Sequence, residues 1–115
     1  MKDNNVYLKH ILEAIQNIEE YISNSNFDVF GGDKKTVDAV VRELEIIGEA
    51  ANNLDDKFKN NYPRIPFRDM TDMRNVLIHE YFGVDKKVVW DTCKEDLPGL
   101  KEIIEETLQS QGLTL

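Results

Sequence analysis

Several features that mark other protein classes are scarce or missing in this 115-residue chain. Its single cysteine, Cys93, allows neither an internal disulfide nor a multi-cysteine zinc site, and we interpret it as a small buried hydrophobe. It has no apolar run of about 18 residues, which a membrane span requires, and no signal-peptide pattern at its start. We therefore expect one soluble, cytoplasmic domain over residues 1–115, with no membrane partner.

Positive charge is also scarce, with 14 basic against 22 acidic residues and a net charge of -8. Affinity for nucleic-acid backbones comes largely from Lys and Arg, so this balance disfavours a sequence-blind nucleic-acid binder. The deficit is uneven, because Lys34 to Arg74 contains eight basic and eight acidic residues. A small phosphate site around Arg64, Arg68 and Arg74 remains compatible with the charge.

No segment alternates like a β-strand, and apolar residues recur at steps of three and four almost throughout. This periodicity is typical of amphipathic helices, and it predicts an all-α, up-and-down bundle of four or five helices. The apolar stripes run from Leu8 to Ile22, from Val37 to Leu54, from Met70 to Leu77 and from Val89 to Leu108.

Glycine and proline predict where these helices end or change. We expect "SNSNFDVFGGDK" to end the first helix and "NNYPRIPFRD" to form a loop before a short third helix, from about Arg68 to Glu80. Pro98 lies inside the last stripe, which predicts a kinked helix or two nearly continuous ones. Gly48 lies inside the second helix, and it predicts close approach of a neighbouring backbone.

The stretch "DMRNVLIHEYFG", from Asp72 to Gly83, concentrates polar groups on the third helix: Arg74, Asn75, His79 and Tyr81. A helix turns by about 100° per residue, so Arg74 and Tyr81 are about 20° apart, whereas His79 lies about 140° from Arg74. The buried stripe of this helix is predicted to comprise Met70, Met73, Val76 and Leu77.

A straight, isolated helix cannot direct Arg74 and His79 at one atom. Either the helix unwinds near His79, or a second copy of the chain supplies part of a shared cleft. We favour a homodimer, because a two-fold interface can build a composite site.

These residue types suit RNA cleavage without a metal ion or cofactor. A histidine can exchange a proton with a ribose 2′-OH or the leaving 5′-oxygen, and an arginine can hold the phosphate. Ordinary structural roles remain open: Arg74 could pair with Asp72 or with a carboxylate on another helix, His79 could be a surface residue, and Tyr81 could pack on Phe82. Spacing alone favours these structural roles.

Arg74, Asn75, His79 and Tyr81 match the R-x(4)-H-x-Y signature of HEPN domains. The chain resembles the HepT-like branch of those domains in four blocks that cover most of its length. Phe67 and Asp72 depart from that branch, which often has Trp and Gly there. The matching blocks are "YLKHILEAIQNIEEY", "AVVRELEIIGEAANNL", "YPRIPFRDMTDMRNVLIHEYFGVD" and "VVWDTCKEDLPGLKEII".

The resemblance implies a dimeric, metal-independent endoribonuclease that acts as the toxin of a type VII-like toxin–antitoxin system. It implies that Arg74 and His79 are catalytic, that Asn75 supports them in binding the RNA phosphate, and that Tyr81 is both a site residue and an acceptor of AMP. The AMP donor would be an MntA-like nucleotidyltransferase antitoxin. Two alternatives stay open: an inactive nucleotide- or substrate-binding partner of a minimal nucleotidyltransferase, and a purely structural helical dimer.

Other candidates are assigned no site role. Glu45 and Glu49 are predicted to lie on a solvated helix face, and Trp90 to be a core or dimer anchor. His10 has no matching ligand at metal-binding spacing, so we expect no metal site there.

Overall fold

The computed structural model describes residues 3–79, 83 and 85–112, with the side chains of residues 78 and 79 outside that description. Within these ranges the chain is helical with no strand, which confirms the predicted all-α class. The helices are α1 (Asn4–Ile22), α2 (Phe27–Gly31), α3 (Lys34–Asn53), α4 (Asp56–Asn61), α5 (Phe67–His79), α6 (Lys86–Asp91) and α7 (Leu97–Ser110), with a π-helical turn at Thr92–Asp96.

The four longest helices form the bundle, in which α1 packs against α3 and α7, and α3 packs against α5. The core side of α1 carries Leu8, Ile11, Ile15 and Ile18, all fully buried. Each apolar stripe needs a neighbour to bury it, and this arrangement supplies one for every long helix. No helix among the described residues is long and apolar enough to cross a membrane.

Two short helices were not predicted: α2 lies in the segment expected to end the first helix, and α4 lies mostly between the second apolar stripe and the predicted loop. The side chain of Asn26 caps α2 by accepting from the Val29 N–H, and that of Asp55 caps α4 by accepting from the Phe58 N–H. Each helix buries one aromatic residue, Phe30 or Phe58. The periodicity missed both helices because a helix of one turn carries a single apolar anchor rather than a repeat.

The last apolar stripe forms two nearly continuous helices, as Pro98 predicts. Proline is tolerated in the first turn of α7, where its missing N–H is not needed. The π-helical turn joins α6 to α7, and the Thr92 hydroxyl donates to the Val88 carbonyl at 2.8 Å. Cys93 is buried in this turn, which confirms its structural role.

Trp90 is part of the core, 8% exposed, and confirms the prediction of an apolar anchor. Its ring lies 5.2 Å from that of Phe30 and 6.5 Å from that of Phe27, between ring centroids. The Lys86 ammonium donates to the Gly31 carbonyl at 2.9 Å on the same side of the bundle. These contacts hold α2 against α6.

Candidate active site

Helix α5 carries the polar residues that the sequence singled out. It is α-helical from Phe67 to His79, so it does not unwind before His79 within the described range. Arg74 and Asn75 lie in its second half, and His79 is its last described residue. The predicted contacts of the His79 side chain and the whole of Tyr81 lie outside the described residues.

The buried side of α5 faces α3, with Met70 and Leu77 under 10% exposed and Met73 partly buried. The prediction that Val76 belongs to this stripe is wrong, because its side chain is 53% exposed. Val76 follows Arg74 by two residues, a rotation of about 200°, and Arg74 is the residue that contacts α3. Val76 therefore lies on the side of α5 away from the bundle.

The Arg74 side chain is partly buried and folds toward Asn75. Its Nη2 donates to the Asn75 Oδ1 at 2.8 Å, and its Nε is buried with no hydrogen-bond partner within the described residues. A buried donor without a partner typically costs about 1–3 kcal/mol. An anion that reaches this Nε–H and accepts from it would remove that cost.

Neither ion pair that the sequence left open for Arg74 forms within the described residues. Asp72 lies 4.0 Å from the Arg68 Nε instead, and both of those side chains are largely exposed. An exposed pair of this kind contributes little to stability and leaves Asp72 solvated. The positive charge of Arg74 is therefore not neutralised by any described carboxylate within ion-pair distance.

Asn75 and His79 are spaced by one helical turn, which places their Cα atoms on one side of α5. Asn75 is exposed, as are Arg68 and Asp72 on the preceding turns of that side. Because α5 is a regular helix over this stretch, the rotation of about 140° between Arg74 and His79 stands. One copy of the helix thus carries the Cα atoms of Arg74 and His79 on different sides, although the Arg74 guanidinium folds back toward Asn75.

Two grooves lined by described residues flank α5. One, of about 460 Å³, lies between α5 and α7 and has apolar walls that include Met70, Met73, Leu97 and Leu100. The other, of about 500 Å³, lies along the N-terminal half of α5. Its lining includes Lys59, Asn52, Arg68, Thr71 and Asp72. The second groove is on the side of α5 that carries Asn75.

The remaining candidates lie elsewhere in the fold. Burial raises the pKa of the Cys93 thiol to about 12, so this thiol is neutral and unreactive near neutral pH. Glu49 is exposed, as predicted, whereas the Glu45 side chain is only 24% exposed, with its Oε2 3.9 Å from the Arg42 Nη1. His10 is exposed with its ring edge toward Tyr7, and no cluster of three metal-ligating side chains occurs within the part of the chain that the structure describes.

Gly48 is a contributor to this site whose role the sequence revealed only in part. Its position inside a helical stripe predicted a close neighbouring backbone, and the structure identifies that neighbour as α5, through the Met70 carbonyl oxygen and the base of the Arg74 side chain. The glycine in the sequence indicated that another helix lies close to it, but not which residue of that helix it contacts.

Comparison with known proteins gives a consistent result. The family model for ribonuclease HepT-like proteins matches residues 11–107. A Thermococcus cleftensis protein named "Probable ribonuclease HepT" is 53% identical over 87% of this chain and 91% of its own length. Two proteins named "Putative RNase" are also similar, from Methanocaldococcus jannaschii (41% identical over 94% of this chain and 89% of that protein) and Caldanaerobacter subterraneus (38% identical over 96% and 99%). No solved structure matches the chain significantly.

Proposed function

Since the chain belongs to the ribonuclease HepT-like family, we propose that it is a metal-independent endoribonuclease that acts as a homodimer. The observation that carries the proposal is the partly buried Arg74 guanidinium, whose Nε has no described partner and whose Nη2 is held by Asn75. A phosphodiester is an anion that such a guanidinium binds well.

The proposed reaction is intramolecular transesterification of RNA. The ribose 2′-oxygen attacks the adjacent phosphorus, the bond from phosphorus to the 5′-oxygen breaks, and the products are a 2′,3′-cyclic phosphate and a 5′-hydroxyl. His79 removes the proton from the 2′-OH or delivers one to the leaving 5′-oxygen, and Arg74 stabilises the charge that develops on the phosphoryl oxygens. Asn75 fixes the guanidinium, and Tyr81 contacts the RNA.

The proposed dimer joins two α5 helices. Arg74 of one copy and His79 of the other would share a cleft, because a single straight helix separates them by about 140°. The exposed Val76 supports this arrangement, since it places an apolar side chain on the outer side of α5, where a second copy could cover it.

Purified protein incubated with RNA in EDTA tests the reaction. We expect cleavage products that end in a 2′,3′-cyclic phosphate, and a loss of at least about 100-fold in the rate for His79→Ala, as removal of a general acid or base implies. His10→Ala, which changes an exposed histidine on α1, is the matched control. Equal rates for wild type and His79→Ala would reject the ribonuclease assignment and favour the inactive-partner alternative.

We further propose that the enzyme is the toxin of a type VII-like toxin–antitoxin pair in the cytoplasm, where its RNA substrate is found. An MntA-like nucleotidyltransferase would neutralise it by AMP transfer: the Tyr81 hydroxyl attacks the α-phosphorus of ATP, and pyrophosphate leaves. An adenylate on Tyr81 would add bulk and negative charge to the proposed RNA cleft and so exclude the RNA phosphate.

Intact-mass and peptide mass spectrometry of the protein co-expressed with that nucleotidyltransferase tests the modification. We expect AMP on Tyr81, no adduct in Tyr81→Phe, and an unchanged adduct in Tyr21→Phe, which alters an exposed tyrosine on α1. Adducts confined to other residues would contradict this part of the proposal.

A further inference from the structure

Gly48 lies buried in the middle of α3, where α5 passes over it. A Cβ atom at this position would be 2.4 Å from the Arg74 Cβ and 2.6 Å from the Met70 carbonyl oxygen. Carbon atoms in favourable contact are about 3.5–4.0 Å apart. Both neighbouring atoms are fixed to the α5 backbone, so a side-chain rotation cannot relieve the overlap.

Glycine is needed at position 48 because there is no room for a side chain, and not because the backbone adopts a conformation that only glycine favours. Gly112 is the described glycine with a positive φ, whereas Gly48 is within a regular helix. Any residue other than proline would be a better helix former at this position. Replacing the glycine would force α5 away from α3 at the turn that carries Arg74.

We propose that Gly48 is a positioning residue for Arg74. The missing side chain lets the Arg74 Cβ and Cγ seat directly on α3, which restricts the arginine side chain and buries its Nε. Asn75 then holds Nη2 from the other end. The Arg74 side chain is thus held at its base by α3 and at its tip by Asn75 before any phosphate binds.

The catalytic consequence rests on the proposed function, but the placement of Arg74 can be measured without it. The four arginines give four Nε–H signals in NMR spectra, and those of Arg42, Arg64 and Arg68 belong to side chains that are 64%, 73% and 93% exposed. We expect the Arg74 Nε–H to exchange with solvent at least about tenfold more slowly than the other three.

Gly48→Ala should accelerate exchange at the Arg74 Nε–H into the range of the exposed arginines. Gly99→Ala is the matched control, because a Cβ at this α7 glycine meets nothing within 4 Å, and it should leave the exchange unchanged. Slow exchange retained in Gly48→Ala would overturn the inference. If Gly48→Ala does not fold, the wild-type protein still tests the inference. An Arg74 Nε–H that exchanges in the wild type as fast as those of the other three arginines would overturn it equally.

Activity adds a second readout. Gly48→Ala should lower kcat for RNA cleavage by at least about tenfold, as a displacement of about 1 Å at a catalytic group can do. In an Arg74→Ala background the same change should cost less than about threefold, because residues that act together are not additive. Additive losses would show that Gly48 does not act through Arg74. A wild type that cleaves no RNA would reject the proposed function alone, and the exchange result would still decide the placement.

Discussion

The Asn75 side chain sets the position of the Arg74 guanidinium. Adjacent helical residues normally point about 100° apart, so their contact requires the long arginine side chain to fold across the helix surface. The bond from Nη2 to the Asn75 Oδ1 closes that fold at 2.8 Å. Asn75 therefore contributes by orienting the arginine.

Asn75→Ala should lower the rate of RNA cleavage by about tenfold, because one hydrogen bond to a charged group contributes about 1.5–3 kcal/mol and part of it is lost to solvent. The measurement is kcat and KM on a short RNA, with Asn60→Ala on α4 as the control for an exposed asparagine. The melting temperature should stay near that of wild type. An unchanged kcat would contradict the orienting role of Asn75.

At the scale of elements, the start of α3 depends on Asp33. Its carboxylate accepts from the Thr36 N–H at 3.2 Å and from the Thr36 hydroxyl at 2.6 Å. These two bonds lower the pKa of Asp33 below its usual value of 3.8, the side-chain bond having the larger effect. Since α3 contacts both α1 and α5, its first turn affects the whole bundle.

Asp33→Ala should lower the melting temperature at neutral pH by a few degrees, because the first turn of α3 loses its cap. The folded pKa of Asp33 is depressed, so its charged form stabilises the fold above its unfolded pKa of 3.8, and this contribution is lost as the pH falls through the folded value. Thermal unfolding of both proteins from pH 7 to pH 2 should show the difference shrinking at the acid end. A constant difference would contradict a charge-dependent cap, and Asp28→Ala on α2 serves as a control.

At the scale of the whole molecule, the proposed active site needs two chains. If Arg74 of one copy works with His79 of the other, a mixed dimer of Arg74→Ala and His79→Ala contains one complete site and one site that lacks both groups. Sites formed within one chain would give no complete site in the same mixture.

Mixing equal amounts of the two inactive variants, after dissociation and reassociation, should restore about a quarter of wild-type RNA cleavage, since about half of the dimers would be mixed and each would hold one complete site of two. The control is Arg74→Ala mixed with the Arg74→Ala/His79→Ala double variant, which should stay inactive. No recovery, or a monomeric mass at micromolar concentration, would reject the shared site.

Much of the fold was predictable because its long helices repeat apolar residues over several turns. The apolar stripe of α1 correctly predicted that helix, and Pro98 correctly predicted two nearly continuous helices at the end of the chain. Gly48 correctly indicated a close contact with a neighbouring backbone. Val76 was assigned wrongly because it is apolar and follows Met73 at a helical spacing, whereas the side of α5 that faces α3 includes Arg74 instead. The helices α2 and α4 were missed because each depends on one cap and one buried aromatic, Phe30 or Phe58.

The sequence by itself determined the helical class, the single apolar core and the set of polar residues on α5, because these depend on local periodicity and residue chemistry. Only the tertiary structure decided which atoms of different helices meet, above all the Arg74 side chain against Gly48. Gly48 and Arg74 are 26 positions apart in the chain, and no pattern within α3 or α5 encodes the crossing of two helices. That crossing follows from how closely their side chains allow the backbones to pack, and here a missing Cβ sets the limit.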